Sequence, residues 1–194
     1  KDTFKTLNIN SIFPQRLERI DGKYNFRLIT ISTDCVFSGK KGNYIEEDLG
    51  DAEDLYGKSK FLGEINGKNC LTLRTSIIGR ELSTGHSLVE WFLSNAGGKI
   101  KGYTNVIYTG FPTIVLSRII MDLIKNSPEL EGIFNVSSEP INKYELLCLV
   151  KKLYKLDVEI TPYEDFFLDR SLNSEKFRKI AGFTPPEWEE MIKE

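Results

Sequence analysis

A short apolar run rich in β-branched residues, Arg27-Leu-Ile-Thr-Ile-Ser32, is followed at a distance by a second one, Cys70-Leu-Thr-Leu-Arg-Thr75. Runs of this kind fit strands buried beneath covering layers. Residues 38–54 between them are polar and Gly-bearing, which makes a loop. Residues 55–65 then carry a helical pattern, with Gly67 as its stop. Neighbouring strands joined through a helical crossover run parallel, so the expected fold is α/β with a parallel sheet.

The remaining segments extend that pattern. Leu7, Phe13, Leu17 and Ile20 recur near a 3.6-residue period and predict a helix over 6–20. Residues 86–95 read as an amphipathic helix, and Val106–Tyr108 as a strand within a Gly-punctuated stretch. Pro112-Thr113 opens a helix through Ile124, and Gly132–Val136 is a strand. Asn142 is placed to cap a helix over 143–154, with Glu145 at the third position as in a capping box. Residues 158–161 form a short strand, and the tail from Asp165 is loop and helix broken by Pro185-Pro186. Trp91 and Phe92 are expected in the core. Trp188 is expected to pack the tail onto the body. His86 reads as a surface residue at a helix start, and the acidic pairs Glu46-Glu47 and Glu53-Asp54 as solvated charge.

Composition excludes several functions. A net charge of −2 over 194 residues offers no electrostatic case for nucleic acid or a membrane surface. No apolar run is long enough for a membrane span. The three cysteines are widely spaced and form no framework, which fits free thiols in a reducing, cytoplasmic compartment. One histidine cannot build a histidine-rich metal site, so no metal is expected.

Chemistry enters with Tyr56-Gly-Lys-Ser-Lys60. On a helix, positions i and i+4 share a face one turn apart. A tyrosine hydroxyl titrates near ~10, and a nearby ammonium would favour the phenolate, so Lys60 is expected to lower the Tyr56 pKa. Ser32-Thr33-Asp34 lies at the C-terminal end of the first strand, where open parallel sheets bind their ligands. A Thr33 hydroxyl there could polarise a substrate carbonyl.

Taken together, Ser-Thr-Asp-x-Val-Phe-x-Gly at 32–39, Tyr56-Gly-Lys-Ser-Lys60 with Gly63-Glu64, and Leu73-Arg-Thr-Ser76 resemble the extended short-chain dehydrogenase/reductases, above all the dTDP-4-dehydrorhamnose reductase group. Gly110-x-Pro112-Thr113 and Ser171-Leu-Asn173-Ser-Glu-Lys176-Phe177 extend the resemblance almost to the C-terminus. It implies a partial Rossmann-like domain over 1–79 and 105–136 and a substrate-binding domain over 80–104 and 137–194. It implies NADP or NAD as cofactor, a nucleotide-linked deoxysugar as substrate, and reduction of its keto group. Thr33, Tyr56 and Lys60 would be catalytic, with Tyr56 as the general acid. Ser32, Arg74, Thr75 and Ser76 would border the cofactor beside Tyr56 and Lys60. Asp34, Cys35, Ile77, Arg170 and Asn173 would border the substrate, with Arg170 placed to clamp phosphates. The resemblance leaves room for a homodimer without fixing the oligomeric state.

The sequence also departs from the family. Its Gly-x-x-Gly-x-x-Gly turn is missing: Gly39/Gly42 follows a loop and Gly97-Gly98 follows a helix, so neither cradles a pyrophosphate. The first helix resembles the family's fourth, implying an absent front section on the order of 80–90 residues, at roughly 30 per strand–helix unit. Such a remnant is expected to expose a sheet edge and to show little reductase activity alone. The family's aromatic residues at the positions of Cys35 and Ile77 are replaced, so a related keto-deoxysugar is the expected substrate. An epimerase of the same superfamily and a non-catalytic module derived from the fold remain open. Cys35 after Asp34, where dehydratases carry an acid, argues against a dehydratase.

Overall fold

A computed structural model describes residues 2–24, 26–81, 85 and 87–193. The chain opens with α1 (Thr3–Leu7), a π-helical turn (Asn8–Ile12) and α2 (Phe13–Tyr24). This stretch is longer at both ends than the helix predicted over 6–20. Asp2 supplies the early start by accepting Lys5 N at 3.0 Å. The wide turn has a local cause, since Pro14 brings no N–H to the Asn10 carbonyl.

Strand β1 (Leu28–Thr33), helix α3 (Leu55–Leu62) and strand β2 (Cys70–Thr75) follow. The helix stops at Gly63 rather than near Gly67, and only glycine fits that cap, because the Asn10 carbonyl occupies the place a Gly63 side chain would take. After β3 (Ile77–Ile78) come α4 (Leu88–Ser94), β4 (Lys99–Tyr103), β5 (Val106–Tyr108), β6 (Phe111–Pro112) and α5 (Thr113–Asn126). The rest is β7 (Gly132–Asn135), β8 (Ile141–Asn142), α6 (Lys143–Tyr154), β9 (Glu159–Tyr163), β10 (Leu168–Asp169), α7 (Glu175–Ala181) and α8 (Trp188–Lys193). His86 lies outside the described residues.

The main sheet is parallel and ordered β1-β2-β7. Among the described residues β1 and β7 are its two edges, and on β1 Ile31 is 38% exposed. The other sheets are small: β10-β5-β8, with β5 and β8 antiparallel, and the pairs β3-β6 and β4-β9. Their strands are short and mostly pair with partners far along the chain, so only β5 and β9 were visible as strands beforehand.

The largest core cluster centres on Leu71, Leu73, Phe111, Phe134, Leu146 and Phe177. It draws on both sides of the division read from the sequence. A second cluster joins α4 and α6 to β4 through Phe92, Ile100, Leu147 and Val150. A third, Val36, Phe37, Tyr44 and Leu172, pins the long loop 38–54 to the C-terminal segment. Trp188 is buried and donates Nε1–H to the Glu139 carbonyl at 2.8 Å. Trp91 corrects the expectation: Phe92 is fully buried, whereas Trp91, one position round the helix, is 41% exposed. The α4 stripe that faces the core runs through Val89 and Phe92.

Candidate active site

Strand β1 ends with Thr33 in extended conformation, and a single 3₁₀ turn over Asp34–Val36 bends the chain away. The Thr33 hydroxyl accepts the Cys35 N–H at 3.1 Å and donates to Asp34 Oδ1 at 3.1 Å. Two bonds therefore hold its oxygen at the C-terminal edge of the sheet. Helix α3 starts where the Asp54 carboxylate caps Gly57 N at 3.0 Å. Its register sets Tyr56 and Lys60 on the face turned to β1.

Gly57 lets the helix come that close. A Cβ there would fall inside the van der Waals surface of the Cys35 carbonyl oxygen and against Ala52. Gly57→Ala is therefore expected to push α3 off the strand end. It should destabilise the fold by about 1–3 kcal/mol despite alanine's better helix propensity. Urea unfolding checks this, and a neutral or stabilising result would show that the contact can relax.

Thr33, Tyr56 and Lys60 line one cleft of about 390 Å³, with Thr75, Ser76 and Ile77 on the facing side. The Thr33 hydroxyl lies close enough to act on the Tyr56 phenol. Burial raises the Tyr56 pKa, and the Thr33 contact pulls it back only in part. The phenol thus stays protonated at neutral pH. Lys60 is not seen to lower the Tyr56 pKa as expected. Its ammonium donates to the Ile31 carbonyl at 2.6 Å, and it is not among the groups that shift Tyr56. Burial lowers the Lys60 pKa, and the charge of Glu64 opposes that.

Arg74 is the clearest displacement from expectation. It is 2% exposed and turns to the opposite side of β2 from the cleft. Nε and Nη2 donate to the two Glu64 oxygens at 2.8 Å each, and Nη1 donates to the Glu46 carbonyl at 3.2 Å. Ser32, on the same face, donates to Glu64 Oε1 at 2.7 Å, so its hydroxyl is committed there while its backbone borders the cleft. Asn173 is also elsewhere: its side chain accepts Glu175 N at 2.9 Å and its N–H donates to the Tyr44 carbonyl.

Asp34, Cys35, Ser76 and Ile77 separate the cleft from a smaller annex of about 190 Å³. Ile77 is 58% exposed at the mouth. Arg170 lines the annex and donates Nη1–H to Cys35 Sγ at 3.3 Å. Burial raises the Cys35 pKa, so this thiol is not an activated nucleophile. Burial also raises Asp34, against the hydrogen bonds from Thr33 and Cys35 and the charge of Arg170. Its folded-state value lies above its unfolded one. The stability it contributes is therefore complete in acid and is lost as pH rises through the folded-state value. Asp34→Asn cannot ionise, so the variant should gain on the parent as pH rises from about 4, the unfolded carboxylate value, upward. Paired urea melts across that range test the sign, and a constant difference would place the carboxyl outside this account.

The annex also holds two residues that sequence reasoning missed, Lys143 and Tyr108. One signal was available for Lys143. A cation in the first turn of a helix opposes the helix dipole, and a residue set against local preference merits a functional question. Tyr108 carried none.

Comparison with known proteins places this geometry. The model of a family described as the RmlD substrate binding domain matches residues 1–194. The spore coat polysaccharide biosynthesis protein SpsK of Bacillus subtilis is 30% identical over 91% of this chain and 64% of its own length. Methionine adenosyltransferase 2 subunit beta of Danio rerio is 30% identical over 66% of this chain and 44% of its own. The chain thus spans 64% and 44% of these two relatives. Among solved structures, a hypothetical dTDP-4-dehydrorhamnose reductase from Sulfolobus tokodaii superposes with TM-score 0.79 at 27% identity, covering 92% of this chain and 67% of that one. The Bacillus anthracis dTDP-4-dehydrorhamnose reductase in complex with NADP gives 0.78 at 23%, covering 95% and 69%, and shares the fold.

Proposed function

The chain belongs to the RmlD substrate binding domain family, and from that premise we propose that its cleft serves NAD(P)H-dependent reduction of a keto group on a nucleotide-linked deoxysugar. The observation that carries this reading is the meeting of the Thr33 and Tyr56 hydroxyls in one cleft at the C-terminal edge of a parallel sheet, with Lys60 on the same helix face. SpsK, by its name a polysaccharide biosynthesis protein, and the structural likeness to dTDP-4-dehydrorhamnose reductases support it.

The residues present fit the nicotinamide end of a dinucleotide. Tyr56 and Lys60 offer hydroxyl and ammonium donors from one wall, and Thr75 and Ser76 form the facing one. The nicotinamide, when bound, supplies the hydride. Tyr56 gives its phenolic proton to the carbonyl oxygen, which its raised pKa allows across neutral pH. Thr33 is placed to position that oxygen through its hydroxyl, once the hydroxyl hydrogen turns from Asp34 Oδ1 to the carbonyl. Lys60 holds positive charge one helical turn from the phenolate that forms. Asp34 and Cys35 border the sugar from the annex side.

A second reading, a binding module without catalysis, draws on the match to an enzyme's subunit beta. Titration of the longest reading frame containing this chain with NADPH, followed by fluorescence, separates the two. Saturable binding, with NADPH consumption on addition of a dTDP-4-keto-6-deoxysugar by the longest reading frame containing this chain, supports the reductase. Consumption with no dependence on the sugar, or no binding at millimolar cofactor, sinks it.

A further inference from the structure

The annex beside the cleft contains more donors than the protein can satisfy. Arg170 Nε and Tyr108 Oη are both buried without a partner in good hydrogen-bond geometry, although the Ser76 side chain lies near enough to act on the Tyr108 hydroxyl. Buried donors left unmade cost about 1–3 kcal/mol each, so a pair lining one small cavity points to a ligand that completes them. Lys143 lines the same cavity. It is the first residue of α6, whose cap, Asn142 Oδ1, takes Glu145 N at 2.8 Å. The dipole at that end disfavours a cation, yet the side chain is half-buried rather than extended into water. No carboxylate lies within ion-pair distance of it among the described residues; Asp34 acts on it only through space. Burial lowers its pKa, and the charge of Asp34 offsets this. Asp34, the one acid lining the annex, already accepts the Thr33 hydroxyl and is itself raised by burial. The balance of the cavity is cationic and donor-rich.

We propose that Lys143 is a specificity-determining residue: with Arg170 and Tyr108 it lines an annex that takes a compact anionic oxygen group carried by the ligand. A volume of about 190 Å³ holds such a group and not a whole nucleoside diphosphate sugar, and the shared wall of Asp34, Cys35, Ser76 and Ile77 sets it next to the reacting ring. The choice of ligand rests on the nucleotide-sugar reading above; the annex itself does not.

Calorimetric titration of the full chain with inorganic pyrophosphate, UDP-glucose and UDP-glucuronate tests both. Lys143→Met should weaken binding by at least about tenfold, the scale of a lost charged hydrogen bond, and Lys143→Arg should restore most of it with Tm unchanged. An equal loss for all three probes identifies the diphosphate as the anion. A loss confined to UDP-glucuronate identifies a sugar carboxylate. The annex is overturned if Lys143→Met leaves every affinity within twofold, or if none of the probes binds the parent chain. Pyrophosphate binding that depends on Lys143, with no gain from either nucleotide sugar, keeps the annex and sinks the nucleotide-sugar reading instead.

Discussion

Tyr56→Phe is expected to lower kcat/KM for keto-sugar reduction by about 10²- to 10⁴-fold, the range supplied by a positioned general acid. The substitution keeps the ring and removes one oxygen. The fold should lose no more than about 1 kcal/mol, the worth of a hydroxyl contact with Thr33. Asp34 and Cys35 line the same cleft, but neither is an obvious substitute. The Asp34 carboxyl is buried and already engaged by Thr33, and the thiol is raised by burial and held by Arg170. The pH profile gives an independent check. The proton donor must be protonated and burial raises its pKa, so the parent's rate should stay level through neutrality and fall only on the alkaline side. A Tyr56→Phe protein that binds its ligands and retains the parent rate would remove Tyr56 from the chemistry. The measurement belongs on the longest reading frame containing this chain, since the chain covers 64% of SpsK.

The largest stability effect should come from Glu64→Ala. Glu64 and Arg74 form a two-pronged ion pair whose side chains are 4% and 3% exposed. Breaking such a pair by removing one partner costs about 3–5 kcal/mol, because the survivor stays charged and buried. For a chain of this size that lowers Tm by on the order of 10 °C. Salt should barely alter the loss, because water and ions do not reach the pair. The double variant Glu64→Met with Arg74→Met should recover much of the stability, since no unpaired charge is left behind. The effect also reaches the cleft. Glu64 holds the Ser32 hydroxyl, and Ser32 is the neighbour of Thr33. Arg74 in turn ties β2 to the Glu46 carbonyl, and Glu46 accepts Asn135 N from β7 at 3.0 Å. A single-variant loss below about 1 kcal/mol would mean that the pair is solvated in solution.

The local readings of the sequence survive where the interaction is local. The helix over 143–154 appears with both predicted limits, because Asn142 caps it through a bond three residues long. Tyr56 and Lys60 share a face because helical geometry alone puts them there. The Thr33 hydroxyl sits where strand, turn and Asx-type residues in succession require it. The limits of α3 were less legible. The glycine at its end is demanded by Asn10, far back in the chain, packing against Gly63.

What the amino-acid order determined by itself was the alternation of strand and helix, the parallel sense of the sheet and the pairing of Tyr56 with Lys60. The strand and helix assignments and the Tyr56–Lys60 pairing follow from repeat distances of two to four residues, and the parallel sense from the helical crossover between β1 and β2. Only the tertiary structure decided that Arg74 turns from the cleft to Glu64, that Lys60 reaches the Ile31 carbonyl, that Trp91 faces water, and that Lys143 and Tyr108 share a cavity with Arg170. Those outcomes depend on burial and on partners such as Cys35 and Arg170, 135 positions apart, whose meeting no local pattern encodes.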